Sequence, residues 1–501
     1  MTLLRIAPTG SVLPLHTTQS TRSVELNCLS NFSHGELIAL AGRSAARWIR
    51  SIRPHAKNIW IACGPGNNGA DGYACAAELQ TALQPWGGQV TCTPPLHTDP
   101  LDDSVRTSFI NAASKSGVLW AQSPLESTDL VVDAIFGLGQ RLDRPIESPW
   151  LEYLNHLNRA NELFAIDLPT GLDADTGCLH SQIEWSSRQK RYTLSLLTLK
   201  PGLWTHMGRD AAGEIWWDDL GFDLMNTTKP DFFLHREQSF ALPTLQFPHS
   251  SHKGTRGKVW VVGGATGMVG AAVLASNSAL LSGAGKVQLF TLQDSAAEAI
   301  SASHPKIMVR GISEYRSSLG EQKENAPQVV VCGCGAGKHI EYWLPELMHL
   351  PSVLVLDADA IHAISTDSAL QVLLSNRYKR GLFTILTPHP AEAAKLLDLG
   401  VRSLQQNRML AAQKIADRTG AFVVLKGSGT VVASPYPEHT SRINPTGDAR
   451  LAVAGSGDHL AGWLGGVIAQ HNQKQNPQLI HELICKAVWQ HGAGLAGTTF
   501  R

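Results

Sequence analysis

The chain has 501 residues, 43% of them hydrophobic, with 42 basic and 42 acidic side chains and so no formal net charge. That length exceeds what one hydrophobic core usually serves, so two domains are expected. Neutrality without any basic block argues against nucleic acid or an anionic membrane as partner and leaves small ligands steered by local charge.

The N-terminal stretch is broken by Pro8, Gly10 and Pro14 and lacks the apolar run of a secretory signal, so a cytoplasmic location is the expectation. The eight cysteines form no CxxC pair and read as buried thiols of a reducing compartment. Cys332-Gly-Cys334, at a predicted strand end, reads as packing rather than metal binding. Residues 18–50 show helical spacing, with Ser33 as a cap and Leu37, Leu40, Ala41 and Ala45 on one face. A strand, Asn58 to Cys63, then enters Gly64-Pro-Gly-Asn-Asn-Gly-Ala-Asp-Gly72, and a helix is predicted from near Tyr73. The glycine spacing fits a dinucleotide fingerprint, but the acidic residue due about 20 positions later is missing. Asn67, Asn68 and Asp71 are instead oxygen donors suited to a hard cation or to polar groups of a ligand. Two more strands end in carboxylates, at Asp133 and Asp167. A parallel sheet gathers such ends along one edge, so Asn68, Asp133, Asp167 and Thr170 are expected to converge.

GPGNNGADGY, VDAIFGLG, DLPTGLDADTG and TLKPGL, in this order, resemble the N-terminal domain of YjeF-type proteins, the NAD(P)H-hydrate epimerases. The resemblance implies a hydrate site lined by Asn67, Asn68, Gly69, Ala70 and Asp71 and by Gly137, Leu138, Gly139, Gln140, Arg141, Leu142 and Asp143. It implies Asp167 in contact with substrate as a catalytic residue, and a potassium ion held by Asn68, Asp133 and Thr170. Ala70 stands where the family has glycine, Leu138 where it has threonine, and Thr170 where it has serine.

The polar segment from Asn226 to Phe247 contains Pro230 and Pro243 and lacks periodicity; residues 226–240 are read as a linker between domains of residues 1–225 and 241–501. The uncharged run Val259 to Gly285 could pass for a membrane span, but Gly263, Gly264, Gly267 and Asn277 break it, and it reads as strand, glycine loop and helix. Buried strands ending in polar groups follow at Asp357, at Thr387 and at Lys426, an alternation that indicates a doubly wound α/β domain. No GxxxxGK[ST] occurs, so the phosphates of any nucleotide would be held by backbone N–H groups of Lys426, Gly427, Ser428, Gly429 and Thr430 and of Gly455 to Gly457. Gly455-Ser456-Gly457-Asp458 opens a run of helical spacing, and a helix N-terminus attracts anions. A carboxylate there repels phosphate but suits taking a proton from a hydroxyl about to be phosphorylated. Asp458 is the candidate base.

HKGTRGKVWVVGGATGMVGAA, GCGAG, LDADAI, TPHPAE, LKGSGT and NPTGDARLAVAGSGDHLAG resemble the carboxyl-terminal YjeF domain, the nucleotide-dependent NAD(P)H-hydrate dehydratase of ribokinase-like fold. The expected architecture is thus α/β throughout: a Rossmann-like three-layer domain of YjeF N-terminal type followed by a ribokinase-like α/β domain. The resemblance implies hydrate contacts from Ala271, Gly335, Gly337, His389 and Asp458, adenylate contacts from Lys426 to Thr430 and Gly457, and ADP or ATP as co-substrate with Mg2+. It implies NADHX and NADPHX as substrates, no nucleic acid or membrane partner, and room for a homo-oligomer. The rival reading is a ribokinase-like kinase of a vitamin or sugar with a non-catalytic N-terminal binding domain. Such a kinase would use the GxGD turn but gives no reason for GPGNNGADG.

Overall fold

The computed structural model describes residues 3–95, 104–184, 188–223, 228–239, 242, 247–320, 326–471 and 476–494. The chain forms two compact units, one of Met1–Ala7 with Pro14–Phe232, the other of Pro8–Leu13 with Phe233–Arg501. Among the described residues, no helix is long and apolar enough to cross a membrane.

In the first unit the strands run in the order Leu4–Arg5, Glu214–Asp218, Lys190–Leu196, Glu162–Ile166, Leu130–Ala134, Asn58–Cys63, Gln89–Cys92 and Leu119–Trp120. All neighbours are parallel except Leu4–Arg5, which pairs antiparallel with Glu214–Asp218. Helix His34–Ile52 starts on a capping box, Ser33 with Glu36, and buries Ala41, Ala45, Trp48 and Ile49 against one sheet face. Helix Trp150–Arg159 covers the other face through Tyr153, Leu154 and Leu157. The result is three layers. Chain order reverses between Asn58–Cys63 and Leu130–Ala134, which pair with Cys63 opposite Ala134. Ligands of open α/β sheets bind at such a reversal, beyond the strands' carboxyl ends.

One boundary differs from the sequence expectation. The helix after Asn58–Cys63 begins at Asn67, with Gly66 as its cap, and not near Tyr73. Asn-Asn-Gly is a turn in isolation, but here the missing side chain lets the helix start against the strand. A Cβ on Gly69 would lie 1.9 Å from the Gly64 carbonyl oxygen, and one on Gly72 would lie 2.7 Å from Ala134 Cβ. Ala70 is inside this helix with 1% exposure, packed with Ile38 and Ala74, at a backbone conformation any residue adopts.

The second unit's sheet runs Met308–Gly311, Lys286–Thr291, Lys258–Gly263, Val329–Cys332, Val353–Leu356, Thr384–Leu386, Phe422–Leu425, Val431–Ala433 and Arg442–Ile443. It is parallel up to Phe422–Leu425 and antiparallel over the next two pairings. Here the order reverses between Lys258–Gly263 and Val329–Cys332. Helices Val269–Leu281 and Ser456–Ala469 pack on this face, and Gly462 allows the contact, since a Cβ there would meet the Ala275 carbonyl oxygen at 2.0 Å.

The segment read as linker carries structure. Phe233 and Leu234 pair in parallel with Arg442 and Ile443. Arg236 is buried and donates to the Thr9 carbonyl, Gln238 N to that of Gly10 at 2.9 Å, and Trp489 Nε1 to that of Pro8 at 3.2 Å. A strand of three residues leaves too short a pattern to be read from sequence.

Candidate active sites

At the first reversal lies a cavity of about 680 Å³, reached by Asn67, Asn68, Asp71, Gly137, Leu138, Gly139, Gln140 and Asp167. Behind Asn68, Ile135 and Phe136 of its wall lies a hydrogen-bonded cradle. Asp133, 2% exposed, accepts from Thr170 Oγ1 at 2.7 Å, Thr170 N at 2.8 Å and Ile135 N at 3.1 Å. Thr170 Oγ1 accepts from Phe136 N at 3.0 Å, and Asn68 Nδ2 donates to the Phe136 carbonyl at 3.1 Å. Burial raises the Asp133 carboxyl, and the bonds from Thr170 and Ile135 oppose that rise. Asn68 Oδ1 is buried without a hydrogen-bond partner, which in a polar cradle calls for a cation or a donor.

Asp167 follows its strand with φ of +65°, and its carboxylate is held by the ammonium of fully buried Lys200. Lys200 also donates to the Leu196 carbonyl at 2.8 Å. Asp71 faces the same cavity, and burial pushes its carboxyl well above the usual range, with the charges of Asp167 and Glu25 adding to the rise. The site therefore pairs a carboxylate fixed by an ammonium with a carboxyl whose hold on its proton burial strengthens, an arrangement suited to acid–base work. Gly69 and Ala70 do not line the cavity; they shape the helix behind it. Arg141 and Asp143 bond to one another at the surface, their side chains 58% and 64% exposed, and with half-buried Leu142 they stand outside the cavity wall.

In the second unit Asp458 sits in the first turn of helix Ser456–Ala469, after Gly455 at φ +87°. Burial raises its carboxyl and Asp357's charge adds to this, while a hydrogen bond from the Cys334 thiol and the charge of Lys426 pull the other way. Ligand atoms of Cys334, Asp357 and Asp458 lie within 4.8 Å of one another. Lys426 Nζ donates to Asp357 Oδ1 at 2.7 Å, and Thr387 Oγ1 donates to the same oxygen at 2.7 Å. Burial would lower Lys426, but Asp357 and Glu392 outweigh it and leave its pKa raised. Gly457 stands over this pair: a Cβ there would be 3.3 Å from Lys426 Nζ.

The loop Gly427-Ser428-Gly429 turns through φ of +134° and +65° at its glycines, and buried Arg408 braces it by donating to the carbonyls of Leu425 at 3.3 Å and Lys426 at 3.1 Å. Thr430 Oγ1 closes the turn onto the Gly427 carbonyl at 3.2 Å. Gly335 lies against Ala271, where an added Cβ would come within 2.8 Å, and Gly337 N donates to Asp359 at 2.8 Å. His389 caps helix Pro390–Leu397, its Nδ1 accepting from Ala391 N at 3.1 Å and its Nε2 lying 3.2 Å from Glu392 Oε1. Asp357, Lys426, Gly457 and Asp458 are thus brought together, and Ala271 meets Gly335.

The sequence pointed to the strand ends but not to their partners. Glu25 and Arg408 carry no motif of their own, and although Lys200 stands in TLKPGL and Asp357 in LDADAI, neither motif says which side chain its charged residue pairs with.

Two α/β units with chemistry at both sheet reversals define a two-site enzyme. Residues 34–202 match the YjeF-related protein N-terminus family, and residues 259–499 match the NAD(P)H-hydrate dehydratase family. The chain is 33% identical to the bifunctional NAD(P)H-hydrate repair enzyme Nnr of Escherichia coli over 91% of this chain and 84% of that protein. It is 42% identical to the ADP-dependent (S)-NAD(P)H-hydrate dehydratase of Neisseria meningitidis, over 50% of this chain and 82% of that one. The crystal structure of the ADP/ATP-dependent NAD(P)H-hydrate dehydratase of Bacillus subtilis co-crystallized with ATP/Mg2+ aligns at TM-score 0.41 and 29% identity, covering 50% of this chain and 83% of that one. The chain belongs to the family of bifunctional NAD(P)H-hydrate repair enzymes.

Proposed function

We propose that the first unit interconverts the two C6 epimers of hydrated NAD(P)H and that the second dehydrates the S epimer with ADP or ATP. The observation that carries this reading is the pair of separate constellations, Asp167–Lys200–Asp71 and Asp458–Asp357–Lys426, in a chain matched over both halves.

In the dehydratase site Asp458 takes the proton of the C6 hydroxyl as its oxygen attacks the terminal phosphorus of the nucleotide. The backbone N–H groups at Gly455 to Gly457 and the ammonium of Lys426 stabilise the charge on the transferred phosphoryl group. The ring nitrogen's lone pair then expels phosphate, and loss of a C5 proton restores the dihydronicotinamide. Lys426 to Thr430 hold the nucleotide phosphates, on which Mg2+ arrives. The contacts of Ala271, Gly335, Gly337 and His389 orient the hydrate.

Potassium fits the cradle of the first unit. Asn68 Oδ1 lacks a partner, and three bonds leave Asp133 a free lone-pair direction next to Thr170. An ion there would supply fixed positive charge beneath the substrate and hold the loop of residues 135–140. Asp133→Ala should lose it. Epimerisation measured in potassium and in a large organic cation tests the assignment, and equal rates in both would refute it.

The working boundary falls between Phe232 and Phe233, with Pro8–Leu13 serving the dehydratase unit. A fragment starting at Phe233 would therefore need residues 8–13 supplied as a peptide, or would melt below the dehydratase unit of the whole chain. Incubating the chain with the S epimer and ADP, against a panel of vitamin and sugar alcohols, separates repair from the kinase reading. Regeneration of NADH without phosphorylated alcohol is the expected result.

A further inference from the structure

The N-terminal helix Thr18–Cys28 lies ahead of residue 34, where the matched epimerase segment begins, yet it walls the epimerase cavity with Arg22, Glu25 and Leu26. Val24 and Cys28 fix the helix to the sheet core, and Thr21 Oγ1 bonds to Thr198 Oγ1 at 2.8 Å. Glu25 is therefore held rigidly, half-buried, in a cavity that also holds Asp71, Asp167 and Lys200.

We infer that Glu25 is a catalytic acid of the epimerase site, giving a proton to the ring nitrogen while Asp167 takes one from the C6 hydroxyl. This rests on the epimerase reading given above. A carbon bearing both a hydroxyl and the ring nitrogen can be inverted without outside reagents if the ring opens and recloses. The O–H electron pair becomes the second bond of an aldehyde as the proton passes to a carboxylate. The C6–N1 bond breaks, its electrons stay on nitrogen, and nitrogen takes a proton from a carboxylic acid. Rotation about C5–C6 presents the other aldehyde face, and reclosure returns both protons. The step needs one carboxylate and one carboxylic acid in the same cavity.

Lys200 fixes Asp167 as the carboxylate. Asp71 stands on helix Asn67–Leu83 and Asp167 just beyond strand Glu162–Ile166, both at the carboxyl edge of the sheet, whereas Glu25 enters the cavity from helix Thr18–Cys28 and so can reach a different atom of the ring. Burial raises the Glu25 carboxyl and the charge of Asp167 adds to this, against the opposing charges of Lys200, Arg22 and His34. The Glu25 carboxyl thus holds its proton more firmly than an exposed glutamate does, which suits it to the part of the acid.

The test uses the full chain and a mixture of C6 epimers without nucleotide, following each epimer chromatographically above the uncatalysed background. Glu25→Gln should lower kcat for epimerisation about 100-fold with KM changed less than threefold. Its ADP-dependent dehydration of the S epimer and its denaturant unfolding transitions should equal those of the unsubstituted chain, which shows that both units have folded. The fall in epimerase rate at high pH, where Glu25 loses its proton, should vanish in Glu25→Gln, and Glu25→Asp should recover part of the rate. Epimerisation by Glu25→Gln within threefold of the unsubstituted chain, with the same pH profile, would overturn the inference. No epimerisation by the unsubstituted chain would overturn the epimerase reading beneath it.

Discussion

Both units place their chemistry where strand order reverses and both set aspartates about one lysine, and yet the two sites frame that group differently. The N-terminal site is a cavity of carboxyl groups around one buried ammonium, with apolar walls. The C-terminal site is a helix N-terminus and glycine turns, with Asp458 and the Asp357–Lys426 pair set among backbone N–H groups. The difference follows from what each moves. On the proposed reading, protons pass between carboxyl groups that burial and the Lys200 ion pair make unlike. A phosphoryl group needs N–H donors and cations, which on the same reading Gly455 to Gly457 and Lys426 supply. One layered plan serves both because the plan fixes only where strand ends meet.

The largest expected effect separates the two sites outright. Asp458→Asn should cut ADP-dependent dehydration about 10³-fold and leave epimerisation unchanged, since the lost group is the proposed general base of one reaction only. Equal loss of both activities in rate assays would mean the sites are not independent. Next, Lys200→Met should lower epimerisation about 100-fold and leave dehydration intact. Because it strands the Asp167 carboxylate in a mostly buried position, it should also cost about 3–5 kcal/mol in denaturant titration.

Acid should act on the C-terminal unit through its buried imidazoles. His235, His439, His481 and His491 all have lowered pKa values, in each case chiefly through burial, His491 to about 4. The folded unit therefore binds fewer protons than the unfolded chain, whose histidines titrate near 6.5, and stability falls as pH drops from 6.5 toward 4. His491, which lies 3.1 Å from the Ser456 carbonyl through Nε2, accounts for up to about 3 kcal/mol of this. Hydrogen exchange in peptides spanning residues 456–469 should accelerate across that window, beyond the intrinsic pH dependence of exchange. The smallest effect concerns a departure from the family pattern: Ala70→Gly should cost about 1 kcal/mol of stability and leave epimerase kcat within twofold, because residue 70 is helical and outside the cavity.

Much of this was legible in sequence because parallel sheets put functional groups at strand ends. Asp133, Asp167, Lys426 and Asp458 each follow a run of apolar residues or begin one, and glycine turns mark the reversals. Ser33 could be read as a cap for the same reason, a local rule with a local cause. What sequence did not reveal depends on contacts across long separations. Glu25 reaches Asp167 only through folding, and nothing near Arg408 announces that it braces the carbonyls of Leu425 and Lys426. The pairing of Phe233 and Leu234 with Arg442 and Ile443 joins two short segments that are too small to show a period. Pro8–Leu13 joins the far unit through single bonds such as Trp489 to Pro8, which no local pattern encodes.

The independence of the two sites is tested most directly by one progress curve. A mixture of both C6 epimers with excess ADP is followed by NADH absorbance for the unsubstituted chain and for Asp167→Asn. The unsubstituted chain should convert the whole mixture. Asp167→Asn should convert the S fraction at an unchanged initial rate, then stop apart from uncatalysed epimerisation, and added Asp458→Asn protein should release the remainder. Rapid conversion of both epimers by Asp167→Asn alone would contradict a division of labour between the two sites.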